Sequence, residues 1–294
     1  MTKKSEYFGQ DPVNIPVVLA ELHKLASSMP QLHWAALVDA AFDYPAAEES
    51  MYWNIGINCY DSGAYEGLAK AAPTLVPVDP VNDQAFVSRL LRHCHNRPMV
   101  SFLASRIELD RLRESWQDLH WITAVDRQRM LLRLADTRIL ATLPQTLKEN
   151  QWTAFSEPIE QWVIVNRTGG LTQLDLSTPS GAKAPTIHLE HTQLEALLSA
   201  AEPDNVLAML TDSMPDILPM DIRDSARYRI VAQSCEMARA FDITNWTDVV
   251  SLSVAAFLSE GETNYDEALI AFLNGKQWTP GDLGVSLVNE GFVN

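Results

Sequence analysis

The pattern of apolar residues changes character near residue 180, and this change constrains the fold more than any other feature. Before it, patterns typical of helices and of strands alternate along the chain. The change coincides with a run of turn-forming residues at 177–185, after which apolar residues follow helical spacing only. The 294 residues are therefore predicted to form two domains, a mixed α/β domain over 1–180 and a helical domain over 187–294.

The first domain is predicted to contain both strands and helices. Short apolar runs typical of buried strands lie at 34–39, 74–78 and 99–103. Pairs of runs joined by turn residues predict two hairpins, 121–125 with 130–134 and 161–165 with 171–176. Amphipathic spacing predicts helices at 18–25, 86–94, 109–119 and 139–147. The combination favours an α/β (α+β) fold class, with a mixed β-sheet flanked by helices.

Two local signals refine this prediction. Pro77 cannot donate a ladder hydrogen bond, which indicates an edge position for the strand at 74–78. Ser105 and Glu108 have the spacing of a capping box at the start of the helix at 109–119.

The second domain is predicted to be a small all-α helical bundle. Helical spacing occurs at 194–198, 206–210, 222–241, 249–257 and 268–273. The tail from residue 277 is rich in turn-forming residues. Residues 187–294 hold 5 basic and 17 acidic side chains, against 17 and 21 in residues 1–186, so most of the negative charge belongs to this domain.

Composition excludes several classes of protein. The formal net charge of −16 argues against binding to nucleic acid or to an anionic membrane surface, because both require clustered positive charge. No apolar stretch approaches the length of about 18 residues that a membrane span needs. The first residues lack the apolar segment of a secretory signal, and Cys59, Cys94 and Cys235 are too few and too far apart for a disulfide framework. A cytoplasmic location is expected.

Motifs for common enzyme chemistry are not found in the sequence. The strongest metal candidate is the pair His188 and His191, which on a helix would share one face but lack further ligands. Cys94 lies between His93 and His95, yet neighbouring helical residues point in different directions and no orienting third group is evident. We therefore expect neither a metal nor another cofactor, and no enzymatic activity.

Several segments, in this order, resemble a known family. They are the acid-ending strand at 74–79, the stretch at 97–106 with Arg97, Pro98 and Ser105, and the stretch at 131–140 with Asp136 and Arg138. The strand at 34–39, which ends in Asp39, fits the first strand of the same family. Over about residues 30–176 the chain resembles the domain-of-unknown-function 4123 family, the adaptor chaperones of bacterial type VI secretion. It departs from the family where Ala135 and Thr137 flank Asp136 in place of an aromatic residue and a proline.

The resemblance implies a cytosolic, non-enzymatic adaptor. Such proteins bind a toxic effector protein and a VgrG-type spike protein and promote loading of the effector onto the spike. Two alternatives stay open. One is an immunity module, or another interaction module, that neutralises a toxin, and the other is an enzyme that uses Cys94 or the histidines. From the residues alone, Asp136 fits the N-cap of a helix carrying Ile139 and Leu143, which favours a structural role for Asp136 and Arg138.

Aromatic residues outside the amphipathic patterns are candidates for partner binding, because exposed aromatic side chains are typical interface anchors. Trp53 and Tyr60 follow the first predicted strand, and Trp278 lies in the turn-rich tail. The alternative for each is that it fills a small local core. The acidic helical domain is expected to contribute to one partner interface.

Overall fold

The structure is a computed structural model that describes residues 7–61, 63–176, 184–259, 261 and 266–293. The chain divides into two compact units. We call Pro12–Ala200 the α/β unit, and the described residues of Met1–Asp11 and Ala201–Asn294 the helical unit. Residues 187–200, which the sequence analysis assigned to the helical domain, thus lie with the α/β unit. Whether the ranges 1–180 and 187–294 form independent domains stays a prediction, and most of the predicted linker, 177–183, lies outside the described residues.

The strands of the α/β unit build two sheets. In chain order the strands are β1 (His33–Asp39), β2 (Ile57–Asn58), β3 (Pro73–Pro77), β4 (Val100–Ser105), β5 (Trp121–Thr123), β6 (Arg129–Leu131), β7 (Ile159–Val165), β8 (Leu171–Gln173) and β9 (Ile187–His188). The larger sheet is antiparallel and has the order β2-β3-β1-β4-β7-β8. The smaller has the order β6-β5-β9, in which β5 and β9 are parallel.

Both faces of the larger sheet are buried, which explains why its central strands are almost continuously apolar. On β1, Ala35 and Leu37 belong to one apolar cluster, whereas Ala36 and Val38 belong to another. This alternation follows from the two-residue period of a strand. A strand covered on both sides needs apolar residues at every position, so the sheet has a core on each face.

Helices cover the two faces. In chain order the helices of the α/β unit are α1 (Ile15–Ser28), α2 (Gln84–His93), α3 (Leu109–Trp116), α4 (Thr137–Leu140), α5 (Leu143–Thr146) and α6 (Glu149–Ser156). The next helix, α7 (His191–Ser213), belongs to both units, because the division between them falls inside it. Val18 of α1 and Leu90 of α2 pack on the face of Ala36. Trp116 of α3 and Trp152 of α6 pack on the opposite face.

The helical unit contains the C-terminal part of α7 and the helices α8 (Asp224–Ala240), α9 (Trp246–Leu258), α10 (Glu267–Gly275) and α11 (Leu283–Asn289). Their apolar residues form one buried cluster that includes Leu210, Val231, Leu252 and Leu273. The fold class predicted from the sequence, α+β with a helical part after it, is confirmed. Among the described residues, no helix has both the length and the apolar content needed to cross a bilayer.

Four predicted elements differ from the structure. The helices expected at 194–198 and 206–210 are one helix, α7, which contains Pro203. The helix expected at 139–147 is split into α4 and α5, and Pro144 lies in the first turn of α5. Strands do not end at the predicted boundary, because β9 follows it. The tail from 277 contains α11.

Two local signals were also misread. The strand β3 is not at the edge of its sheet, because β2 pairs with its first half. The hydroxyl of Ser105 accepts a hydrogen bond from the Ile107 amide and donates one to the Ile107 carbonyl. Glu108 is instead the N-cap of α3, so the predicted capping box does not form. The spacing of Thr263 and Asp266 in the sequence also predicts a cap before α10. Thr263 lies outside the described residues, and Asp266 caps that helix.

Candidate functional site

Most of the residues that carry the family resemblance converge at the C-terminal end of β1. Because β1 and β4 are antiparallel, the end of β1 lies beside the start of β4, and the Asp39 amide donates to the Met99 carbonyl at 2.9 Å. The Pro98 carbonyl accepts a hydrogen bond from the Thr137 amide at 2.9 Å, which fixes the start of α4 there. Asp39, Arg97, Pro98, Asp136 and Arg138 are thereby brought together. Ser105, the sixth residue of the motif, lies at the opposite end of β4.

We call the polar side chains at this position, together with the Phe42 ring, the β1-end cluster. Its members are Asp39, Phe42, Asp43, His93, Arg97, Arg133, Asp136 and Arg138. Asp39 ends β1 with a buried carboxylate. Its Oδ1 accepts from the Ala41 amide at 3.0 Å, and its Oδ2 accepts from Nε and Nη2 of Arg133 at 3.1 and 2.8 Å. Burial raises the pKa of Asp39, and the Arg133 guanidinium opposes that shift.

Asp136 holds the second buried carboxylate of the cluster. Its Oδ1 accepts from the backbone amide of Arg138 at 3.1 Å, which confirms the predicted N-cap of α4. The Arg138 guanidinium folds back onto the same carboxylate, with Nε at 2.9 Å from Oδ1 and Nη2 at 2.7 Å from Oδ2. Arg133 approaches Oδ2 of Asp136 at 3.5 Å and so bridges the two buried acids. The geometry supports the structural role predicted for Asp136 and Arg138.

Asp43 is the third acid of the cluster and accepts several hydrogen bonds. Arg97 Nη1 donates to its Oδ1 at 2.8 Å. Its Oδ2 lies 2.7 Å from His93 Nε2 and accepts from the Tyr52 hydroxyl at 2.6 Å. Burial raises the pKa of Asp43, but the hydrogen bonds from His93, Tyr52 and Arg97 outweigh burial and hold the pKa below its usual range. Asp43 is therefore an anion that fixes both Arg97 and the turn after β1.

The cluster turns its positive groups toward the solvent. The side chains of Asp39 and Asp136 are each 2% exposed, whereas that of Arg133 is 40% exposed. The guanidinium carbons of Arg133 and Arg138 lie over the Phe42 ring, 4.9 and 5.8 Å from its centroid. The three arginines are balanced by three aspartates, but each guanidinium group is more exposed than the carboxylate it pairs with, so the charged groups that the cluster presents to solvent are mainly arginines.

An exposed aromatic residue directly follows the cluster in the chain. Tyr44 follows Asp43 and is 65% exposed, while Phe42 is half-buried. We call Phe42, Tyr44 and Arg133 the Phe42–Tyr44 surface. Exposed tyrosine and arginine next to a half-buried ring are the residue types enriched at the energetic centres of protein interfaces. The sequence analysis did not single out Phe42 or Tyr44, although both lie in the turn after the first strand, where it looked for aromatic anchors.

The three aromatic residues proposed for partner binding occupy different environments. Trp53 is half-buried against the core on one face of the sheet. Tyr60 is buried and stacks on Tyr65, with ring centroids 4.6 Å apart, so it presents no exposed ring. Trp278 is half-buried and packs against Phe272 in the helical unit. Each of them contributes to a local core.

The residues considered for catalysis or metal binding are not brought together in the structure. Cys94 is fully buried, and burial raises the pKa of its thiol, so it is held in the unreactive protonated form. His93 contacts Asp43, while His95 is exposed. His188 belongs to β9 and His191 begins α7, so the two do not share a helical face. Within the part of the chain that the structure describes, no group of three or more potential ligands could hold a metal ion.

Part of the chain matches a known protein family. Residues 34–154 match the model of a family described as a domain of unknown function (DUF4123). This range, which is less than half of the chain, contains the whole β1-end cluster. The match confirms the family resemblance for residues 34–154. No curated protein and no solved structure matched the chain.

Proposed function

We propose that this protein is a cytoplasmic adaptor chaperone of bacterial type VI secretion. In this role it binds one toxic effector and promotes its loading onto a VgrG-type spike protein. The proposal draws on the match of residues 34–154 to DUF4123 and on what the resemblance to that family implies. It also includes the absence of enzymatic activity, which the buried, protonated thiol of Cys94 supports.

One observation supports a particular surface as the site of partner binding. The motif residues Asp39 and Asp136, together with Asp43, hold the guanidinium groups of Arg133, Arg138 and Arg97 in fixed positions at Phe42. Tyr44, which is exposed, directly follows Asp43 in the chain. Burying such a network of charges costs free energy because the charges leave water, so the network is not by itself evidence for stability. Such a network does pre-organise the groups outside it, and a rigid aromatic and cationic surface loses little entropy when a partner binds. We therefore assign partner binding to the Phe42–Tyr44 surface.

The experiment is co-purification of the tagged protein from cells that also express the neighbouring spike and effector genes. We expect a stable complex with one or both partners. Replacing Tyr44 with alanine should weaken that complex by about 30-fold, the effect of losing an interface hot spot of about 2 kcal/mol. The matched control is Val125→Ala, because Val125 is similarly exposed, at 60%, in the turn between β5 and β6. The control should bind like the parent protein.

Other outcomes would count against the proposal. An immunity protein would protect a target cell when expressed alone with the toxin, whereas an adaptor would not. An enzyme that uses Cys94 would lose a measurable activity in a folded Cys94→Ala variant. Recovery of the tagged protein without either partner at low salt, or normal secretion of the effector after deletion of the gene, would overturn the adaptor function itself.

A further inference from the structure

The helical unit contains an open apolar groove that the proposed function does not use. It has a volume of about 360 Å³. Its main lining residues are Met209 of α7, Met214, Trp246 and Val254 of α9, and Leu287 and Val288 of α11. We call it the Met–Trp groove. Methionine side chains are flexible and polarizable, and they are common on surfaces that accept apolar side chains of a partner.

The shape of the groove follows from the packing of α9 against α11. Trp246, Val250 and Val254 are spaced by four residues, so they form one stripe about 12 Å long on α9. Gly284 of α11 faces Ser251 of α9, where an added Cβ would lie 2.8 Å from the serine Oγ. Glycine therefore lets the two helices approach closely. The stripe on α9 spans about two helical turns.

Apolar side chains of the groove remain accessible to solvent. Trp246 is 45% exposed and Val288 is 57% exposed. Single exposed apolar residues are common on protein surfaces, but here they adjoin one concave apolar lining. Covering them with another apolar surface would remove them from water.

The charge around the groove indicates the chemistry of the occupant. The segments that form it, 201–217, 246–258 and 281–293, contain no lysine or arginine. Exposed acidic residues lie in or beside the same segments at Asp212, Asp216, Asp282 and Glu290. An occupant that brings basic residues to this rim is favoured by electrostatic complementarity. A second copy of this chain is disfavoured, because it would bring a formal net charge of −16 against an acidic surface.

We propose that the Met–Trp groove binds a basic amphipathic helix of a partner protein. Apolar residues of that helix at i, i+4 and i+7 would match the stripe on α9, and lysine or arginine residues on its flanks would face the acidic rim. This inference is independent of the Phe42–Tyr44 surface, which presents the opposite charge. It goes beyond the proposed function and does not depend on a role in secretion.

The test uses the full-length protein and a fluorescent model peptide of leucine and lysine, about four helical turns long, with its leucines on one face. The control peptide has the same composition, but its leucines are distributed around the helix. Binding is measured at an ionic strength of about 0.15 M, at which interactions between exposed charges are partly screened. We expect the amphipathic peptide to bind at least tenfold more tightly than the control peptide. Equal binding of the two peptides, or binding of neither, would overturn the proposal.

A pair of variants then locates the site on the protein. Val288 lines the groove, whereas Val285, on the same helix and 63% exposed, does not. Val288→Lys and Val285→Lys add the same charge at exposed positions, so both should fold, which circular dichroism will check. We expect at least a tenfold loss of peptide binding for Val288→Lys and less than a threefold loss for Val285→Lys. Equal losses, or a dimer in sedimentation experiments that only Val288→Lys disrupts, would contradict a helix-binding groove.

Discussion

In the α/β unit, Asp39 and Asp136 are buried against guanidinium groups that reach the surface, whereas in the helical unit Asp248 is buried against backbone amides. The Gly281 amide donates to Oδ2 of Asp248 at 2.8 Å, and the Leu283 amide donates to Oδ1 at 3.0 Å. Both arrangements supply hydrogen-bond donors to a carboxylate that is buried away from water. They differ in what they present outside the core.

This difference bears on function. A buried carboxylate that is paired with arginine leaves a positive group at the surface. Arg133, which pairs with Asp39 and lies over the Phe42 ring, is an example. A carboxylate held by amides fixes a loop but adds no cation, so the surface around it keeps the charge of its other residues. In the helical unit, Asp248 holds the turn before α11, and the nearby Met–Trp groove keeps its acidic rim. The same requirement, a satisfied buried acid, thus places arginine at one surface and adds no cation to the other.

The largest effect is expected for Asp136→Ala. This change removes the N-cap of α4 and leaves the Arg138 guanidinium without the carboxylate on which it is folded. Breaking a buried ion pair by removing one partner costs about 3–5 kcal/mol. We place the loss near the lower bound, because Arg138 is 23% exposed and can regain water. Urea unfolding of the full-length protein, followed by tryptophan fluorescence, measures this loss.

The matched control for this prediction is Asp83→Ala in the same unit. Asp83 caps α2 by accepting from the Phe86 amide at 3.0 Å, but it is exposed. Its loss should cost about 1 kcal/mol, as for an ordinary N-cap. If Asp136→Ala and Asp83→Ala cost the same, Asp136 acts only as a cap and the arginine network adds nothing to its stability.

A smaller effect is expected for Asp248→Asn in the helical unit. The two amide donors approach different carboxylate oxygens, so an asparagine can accept from only one of them and directs its own NH₂ group at the other. Leaving a buried donor unsatisfied costs about 1–3 kcal/mol. Thermal unfolding of the full-length protein should report that loss. Asp282→Asn is the control, because Asp282 is exposed and makes no side-chain cap, and it should change stability by less than about 0.5 kcal/mol.

An effect of Asp248→Asn no larger than that of Asp282→Asn would break the comparison between the two units. It would mean that the amides around Asp248 find water as easily as they find the carboxylate. The buried acid would then have no part in fixing the turn before α11.

Sequence reasoning predicted the elements that carry a clear period. The strands β1 and β4 and the helix α2 were predicted within a few residues, because each has several apolar residues in register. The two-residue strands β2 and β9 were missed, since two residues have no period. The helix α7 was predicted as two helices, because Pro203 interrupts its apolar pattern and only tertiary packing decides whether a helix continues past a proline.

The β1-end cluster could be predicted only in part, for a similar reason. Family motifs identified Asp39, Arg97 and Asp136, but the partner of Asp39 is Arg133, which is 94 positions away in the sequence. No local pattern connects them. Their contact depends on the pairing of β1 with β4 and on the hydrogen bond that ties α4 to the start of β4. Phe42 is part of the cluster only because both of these contacts form.

His120 represents a third way to bury a polar group, and near neutral pH its replacement gives the smallest expected effect. It is fully buried beside the rings of Tyr60 and Tyr65, and among the described residues neither of its ring nitrogens has a hydrogen-bond partner. Burial lowers the pKa of His120 from its ordinary 6.5 to about 3. Between these two values the unfolded chain binds a proton that the folded chain does not. Stability should therefore fall as the pH drops from 6.5, by up to about 1.4 kcal/mol for each pH unit.

The variant His120→Phe tests this prediction, because it keeps a ring in the cluster and removes the titrating group. Its free energy of unfolding should fall less steeply between pH 6.5 and 4 than that of the parent protein, while the difference at pH 7.5 stays small or favours the variant. His95→Phe, at an exposed position, is the control for replacing a histidine with a phenylalanine, and it should depart less than His120→Phe from the slope of the parent. If His120→Phe also keeps that slope, the histidine is protonated inside the fold. A proton on His120 would need a negative or accepting group beside it, and His120 would then resemble the paired acids of the β1-end cluster rather than contrast with them.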